Sequence, residues 1–120
     1  MKRENIAASW TAVCGVEDIV PNTGVAALLN GEQVAVFRLS DGQNAGAGPR
    51  VFAIGNFDPN ANAAVLSRGL VGNLGERIVV ASPLYKHHFD LQTGECLEVP
   101  ENSVPTWPAR IDDGKVWVGA

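Results

Sequence analysis

Three reversal signals, Asn30-Gly31, Thr93-Gly94 and Asp113-Gly114, each fall between two short apolar runs, and they commit the chain to hairpins. Asn-Gly and Asp-Gly tolerate the positive φ values of a type I′ turn, whose twist matches the strands it joins. Gly94 supplies a positive φ at the third reversal. The paired runs are Val25 to Leu29 with Glu32 to Leu39, Phe89 to Leu91 with Glu95 to Leu97, and Ala109 to Asp112 with Lys115 to Val118. Ser9 to Cys14, Val51 to Ile54 and Glu76 to Ala81 add further strands by their alternation and apolar character. No segment keeps a helical period, although Glu17-Asp18-Ile19 suits one helical turn. Ala63 to Leu74 is broken by glycine and reads as strand or loop anchored by Leu66 and Leu70. Pro100, Pro105 and Pro108 hold their segment extended and out of any central strand. About nine short strands without a helix indicate an all-β sandwich or barrel.

The 120 residues suit a single domain spanning residues 1–120. Residues 1–8 read as a flexible tail, and residues 40–50 as a mobile Gly-rich loop. That loop is not a phosphate loop, because no helix pattern follows it. Strand phase places Trp10, Phe37, Phe52, Phe89 and Trp117 in the core. Trp107, between Thr106 and Pro108, is a candidate partner anchor.

The formal net charge of -4 is spread along the chain with no Lys/Arg block. That excludes nucleic acid and an anionic membrane as main partners, since both need clustered positive charge. No apolar run approaches the ~20 residues of a membrane span, and no secretory signal follows Met1-Lys2-Arg3-Glu4-Asn5. The expected compartment is the cytoplasm, with Cys14 and Cys96 reduced and packed as small hydrophobes.

Two tight loops carry the functional signal. One follows Ala53-Ile54-Gly55-Asn56, and the other opens with Val80-Ala81-Ser82-Pro83. The second runs on through Leu84, Tyr85, Lys86 and His87 to an aromatic hairpin, Phe89-Asp90, closed by Thr93-Gly94. This layout resembles the Rieske family, in which the first loop reads Cys-x-His and the second Cys-x-x-His. There two thiolates hold one iron and two imidazoles the other. Aligned residue by residue, the first pair falls on Asp58 and Asn60 and the second on Ser82 and Tyr85, while Pro59 and Pro83 keep the loop prolines. All four ligand positions lack sulfur and imidazole. The resemblance therefore implies a Rieske-like antiparallel β-sandwich with no [2Fe-2S] cluster.

Along most of its length the chain is similar to a cluster-free branch, the small subunits of cytoplasmic assimilatory NAD(P)H-dependent nitrite reductases. The features that carry this are Trp10, Asp18-Ile19, Gly24-Val25, Gln33 to Arg38, Ala53 to Asn56, Asp58-Pro59, Val65 to Leu70, Val80 to Leu84 and His88-Phe89. The Gly-rich stretch Asp41 to Pro49 looks like an insertion. The resemblance implies a non-catalytic accessory subunit with no cofactor of its own. Its large-subunit partner would carry flavin, an iron–sulfur cluster and sirohaem, and would reduce nitrite to ammonium. A docking tip is expected at Asp58, Pro59, Asn60, Leu84, Tyr85, Lys86 and His87, with Leu84 and Tyr85 as its apolar anchor.

Other chemistries have weaker support. His87 and His88 are adjacent on a strand and point to opposite faces, so they do not converge on one ion. Ser82 lacks a nucleophile elbow, and its hydroxyl is better placed to satisfy its own loop. Asp58 before Pro59 suits a loop cap rather than a general base. Arg68 is a candidate partner contact. The competing classes are a degenerate ferredoxin component of an oxygenase and a stand-alone cluster-free binding module.

Overall fold

A computed structural model describes residues 9–40 and 48–120; the expected tail and most of the expected Gly-rich loop lie outside them. The described residues form twelve strands: β1 (Trp10–Gly15), β2 (Thr23–Leu29), β3 (Glu32–Leu39), β4 (Arg50–Gly55), β5 (Phe57–Asp58), β6 (Ala63–Ala64), β7 (Leu70–Leu74), β8 (Arg77–Ala81), β9 (His88–Asp90), β10 (Thr106–Trp107), β11 (Ala109–Asp112) and β12 (Lys115–Gly119). Short 3₁₀ turns cover Val16–Asp18, Leu66–Arg68 and Pro100–Asn102. All strand pairs are antiparallel. Among the described residues no helix is long and apolar enough to cross a membrane.

The central element is a four-stranded sheet in the order β10-β4-β3-β2. Its middle strand β3 is buried on both faces, so its alternation serves two cores. Val34 and Val36 face Val116 and Val118 of the β1-β12-β11 sheet, together with Val16, Ile19, Leu29 and Ala53. Ala35, Phe37 and Leu39 face Val80 and Phe89 of the β7-β8-β9 sheet, with Ile54, Leu66, Leu91 and Cys96. Both type I′ signals hold. Leu29 pairs with Glu32 around Asn30 (φ 51°) and Gly31 (φ 85°), and Asp112 pairs with Lys115 around Asp113 (φ 55°) and Gly114 (φ 73°).

Several expectations need correction. Leu66 is fully buried, but Leu70 is 76% exposed on the outer face of β7 and anchors nothing. Trp117 alternates with the buried Val116 and Val118, so it lies on the opposite face, half-buried. Trp10 is also half-buried, covered by the Arg110 guanidinium 4.2 Å from its ring. Phe52 only flanks the core that Phe37 and Phe89 fill. The reversal at Gly94 (φ 79°) is real, but its second arm makes a single bridge, Phe89 to Cys96, instead of a strand.

Candidate functional site

β5 and the end of β8 deliver the two tight loops to one place. Asp58 and Ser82 are both fully buried, and the Ser82 hydroxyl donates to Asp58 Oδ2 at 2.5 Å. The other carboxylate oxygen, Oδ1, accepts the Asn60 amide at 2.9 Å. Asn60 ties this pair to the C-terminal third of the chain. Its Nδ2 donates to Cys96 Sγ at 3.6 Å, and its Oδ1 accepts Asn102 Nδ2 at 2.8 Å. Three of the four residues that the sequence resemblance set at ligand positions, Asp58, Asn60 and Ser82, thus join one hydrogen-bonded network. Tyr85 stands apart, 65% exposed.

Ser82 also closes its own loop. Its N–H donates to His87 O at 2.9 Å, and its carbonyl accepts the Lys86 N–H at 3.1 Å. Lys86 sits in the left-handed region at φ 63°, a conformation non-glycine residues seldom adopt. The loop therefore projects Leu84, 52% exposed, and Tyr85 to solvent with Lys86 beside them. Pro59, Asn60 and His87 are half-buried at the base of this projection. Of the seven residues expected to dock, Asp58 alone lies wholly beneath the surface, because its carboxylate is the network's central acceptor.

A second motif pair supports the site from below. Asn56, 2% exposed, accepts the Ser67 N–H on Oδ1 at 2.7 Å and donates from Nδ2 to Gln33 Oε1 at 2.9 Å. It thereby fixes the Leu66–Arg68 turn against β3. Gly69 then passes so close to β8 that a Cβ on it would meet Ala81 O at 2.3 Å. Arg68 points to solvent.

Sequence reasoning missed Phe57, 48% exposed beside the tip, because the two-residue β5 shows no alternation. Phe57 and Pro59 line a groove of about 380 Å³ with Pro105 and Trp107, which brings the candidate anchor Trp107 next to the tip. Asn102 and Cys96 carried no sequence signal for this network.

A [2Fe-2S] cluster does not fit this donor set. A carboxylate, an amide, a hydroxyl and an exposed phenol replace the thiolates and imidazoles it requires. Two of those groups are also bonded directly to each other. Among the described residues no three His, Cys, Asp or Glu side chains converge as a metal site. His88 Nδ1 pairs with Glu98 Oε2 at 2.6 Å, and Glu98 Oε1 accepts the His88 amide at 2.8 Å. Burial pushes the Glu98 carboxyl up, but the His88 amide and ring outweigh it and leave the group below its usual range. Among the described residues, His87 Nδ1 is buried without a partner. The Cys14 thiol is pushed up by burial and by Asp18, which lowers its reactivity.

The description "Rieske-like [2Fe-2S] domain" matches residues 9–119. The nitrite reductase (NADH) small subunit of Salmonella typhimurium is 45% identical over 109 residues, covering 91% of this chain and 95% of that protein. The chain belongs to the nitrite reductase small-subunit family. Within that family, the solution structure of the Escherichia coli protein NirD superposes with a TM-score of 0.80 at 44% identity, covering 93% of this chain and 96% of that one. A nitrite reductase [NAD(P)H] large subunit from Klebsiella oxytoca is 39% identical over 110 residues, of which this chain spans 11% of the length. A domain like this small subunit is therefore part of the same polypeptide as a large subunit in that bacterium. The chain therefore keeps the family's fold.

Proposed function

We propose that this small-subunit family member is a non-catalytic accessory subunit of a cytoplasmic assimilatory NAD(P)H nitrite reductase, and that it docks on the large subunit through its loop tip. The observation that carries this reading is the direct Asp58–Ser82 bond between the two loops, capped by the solvent-facing Leu84 and Tyr85. A site built to hold a redox centre would present ligands; this one presents an apolar surface. Nitrite reduction to ammonium, with its flavin, iron–sulfur cluster and sirohaem, belongs to the large subunit in this reading, and this chain contributes no cofactor. The Klebsiella protein supports the partnership, because it joins both parts in one chain. A ferredoxin-like electron carrier is disfavoured by the donor set.

Reconstitution tests the reading. Nitrite-dependent NAD(P)H oxidation by the purified large subunit should change when this chain is added. The chain itself should contain neither iron nor acid-labile sulfide. Stoichiometric iron and sulfide in untagged material, or an assay indifferent to the chain, overturns it.

A further inference from the structure

We infer that Asp58 and Ser82 are positioning residues whose hydrogen bond replaces a metal cluster as the cross-link between the tip loops, so that the docking shape of Leu84 and Tyr85 needs no metal. This rests on the docking reading above. In a Rieske protein two loops far apart in sequence are held together because both ligate one cluster. Here the corresponding positions, 24 residues apart, are joined directly.

The bond has the properties of a fixed link. Both side chains are fully buried, so water does not compete for either. A hydroxyl donating to a carboxylate is a charge-assisted bond, shorter and stronger than a neutral one. The carboxylate cannot rotate away, since its second oxygen holds the Asn60 amide. Asn60 is itself held by Asn102, so the first loop has an independent tether. The second loop is closed at its base, where Ala81 pairs with His88, and the Ser82 hydroxyl ties it across to the first loop. Within that closed loop Ser82 is the internal hub, since its carbonyl accepts the Lys86 N–H and its N–H donates to His87 O. A shift of Ser82 is therefore passed to Lys86 and His87, the residues that follow the Leu84–Tyr85 projection. Neither Asp58, Ser82 nor any residue from 83 to 87 belongs to either apolar core. Cutting the link should loosen the tip and leave the sandwich folded.

Titration calorimetry of the intact chain against its purified large subunit tests this with four proteins: wild type, Ser82→Ala, Leu84→Ala/Tyr85→Ala, and the triple variant. Ser82→Ala should weaken binding about tenfold, an effect of the size an interface anchor carries. Its circular dichroism should stay native, and its Lys86 amide should exchange faster. The triple variant should bind no worse than the tip double variant, because the link acts only through the tip. Asp58→Asn, whose amide can still bond both Ser82 and Asn60, should remain within about threefold of wild type. If Ser82→Ala does not fold, Ser82→Cys, a weak donor, must bind at least about threefold worse than wild type. Should the tip variant lose affinity while Ser82→Ala keeps it, or should the losses add in the triple variant, the positioning role is wrong and the docking reading survives. A tip variant that binds like wild type removes the docking reading itself. In that case the Lys86 exchange rate still reports whether the link holds the loop.

Discussion

Asp58 and Asp90 are two buried carboxylates that solve the same local problem in different ways. Each ends a strand, starts a tight turn, and uses Oδ1 to accept backbone amides: Asn60 for Asp58, and Gln92 and Thr93 for Asp90. They differ at Oδ2. Asp90 receives the Arg77 guanidinium at 2.8 Å, and Arg77 also reaches Glu95 at 2.6 Å. Asp58 receives only a hydroxyl. Burial pushes the Asp90 carboxyl up, but the bond from Arg77 and the amides of Thr93 and Gln92 outweigh burial and hold it below the usual range. The cation at Asp90 is 40% exposed, so the pair stays close to water and fastens the scaffold hairpin. The link at Asp58 has no cation. It supplies direction at short range, beneath a projection on which Leu84 and Tyr85 stand beside Lys86. The ion pair fastens one hairpin; the Ser82–Asp58 bond fastens two tight loops to each other.

Substitutions can break or sharpen this contrast. The largest effect is expected at Gly94, whose N–H donates to Asp90 O. A Cβ there would meet Val104 O at 2.1 Å in a backbone already at φ 79°. Gly94→Ala should cost more than about 4 kcal/mol in urea denaturation, or leave no folded protein. Asp90→Ala comes next, at about 3 kcal/mol, because it leaves the Gln92 and Thr93 amides without their acceptor while Arg77 keeps only Glu95. Ser82→Ala should cost less, about 1–3 kcal/mol, since one carboxylate oxygen is left unsatisfied but no ion pair is broken. If Ser82→Ala proves costlier than Asp90→Ala, the division between scaffold and tip fails.

Acid should act on the scaffold side. Asp90 and Glu98 both have depressed carboxyl pKa values, so each binds its proton more readily in the unfolded chain. Their stabilisation is complete above the unfolded carboxylate range and is lost as pH falls through the lower folded values. Melting temperature should therefore be flat from about pH 7 to pH 5 and fall below about pH 4. Asp90→Asn should flatten part of that decline. The smallest effect on stability belongs to Leu84→Ala/Tyr85→Ala, within about 0.5 kcal/mol for solvent-facing side chains. The same variant should lose affinity for the large subunit.

The readable parts of the sequence were those whose cause is local. Asn30-Gly31 and Asp113-Gly114 state their turns outright, because positive φ selects those residues within two positions. Phe37 and Phe89 were found by phase, yet the same rule misplaced Trp117, since β12 buries only its Val116–Val118 face. Leu70 was misread for a related reason: in a glycine-broken segment nothing marks which leucine faces inward. The strands β5, β6 and β10 are too short to carry a period. At the site, resemblance pointed to Asp58, Asn60 and Ser82, whose donor atoms differ from the thiolates and imidazoles of a Rieske cluster. Their bonding to one another, to Asn102 and to Cys96 was not legible, because it depends on tertiary approach between segments with no pattern linking them.

One border of the central sheet carries a further consequence. β10 is two residues long and is bracketed by Pro105 and Pro108, neither of which has an N–H to offer. An incoming chain cannot zip onto that margin, so it offers no template for edge-to-edge self-association. Any visitor to the neighbouring Phe57–Trp107 groove must be recognised by its side chains, and that makes selectivity there a matter of shape.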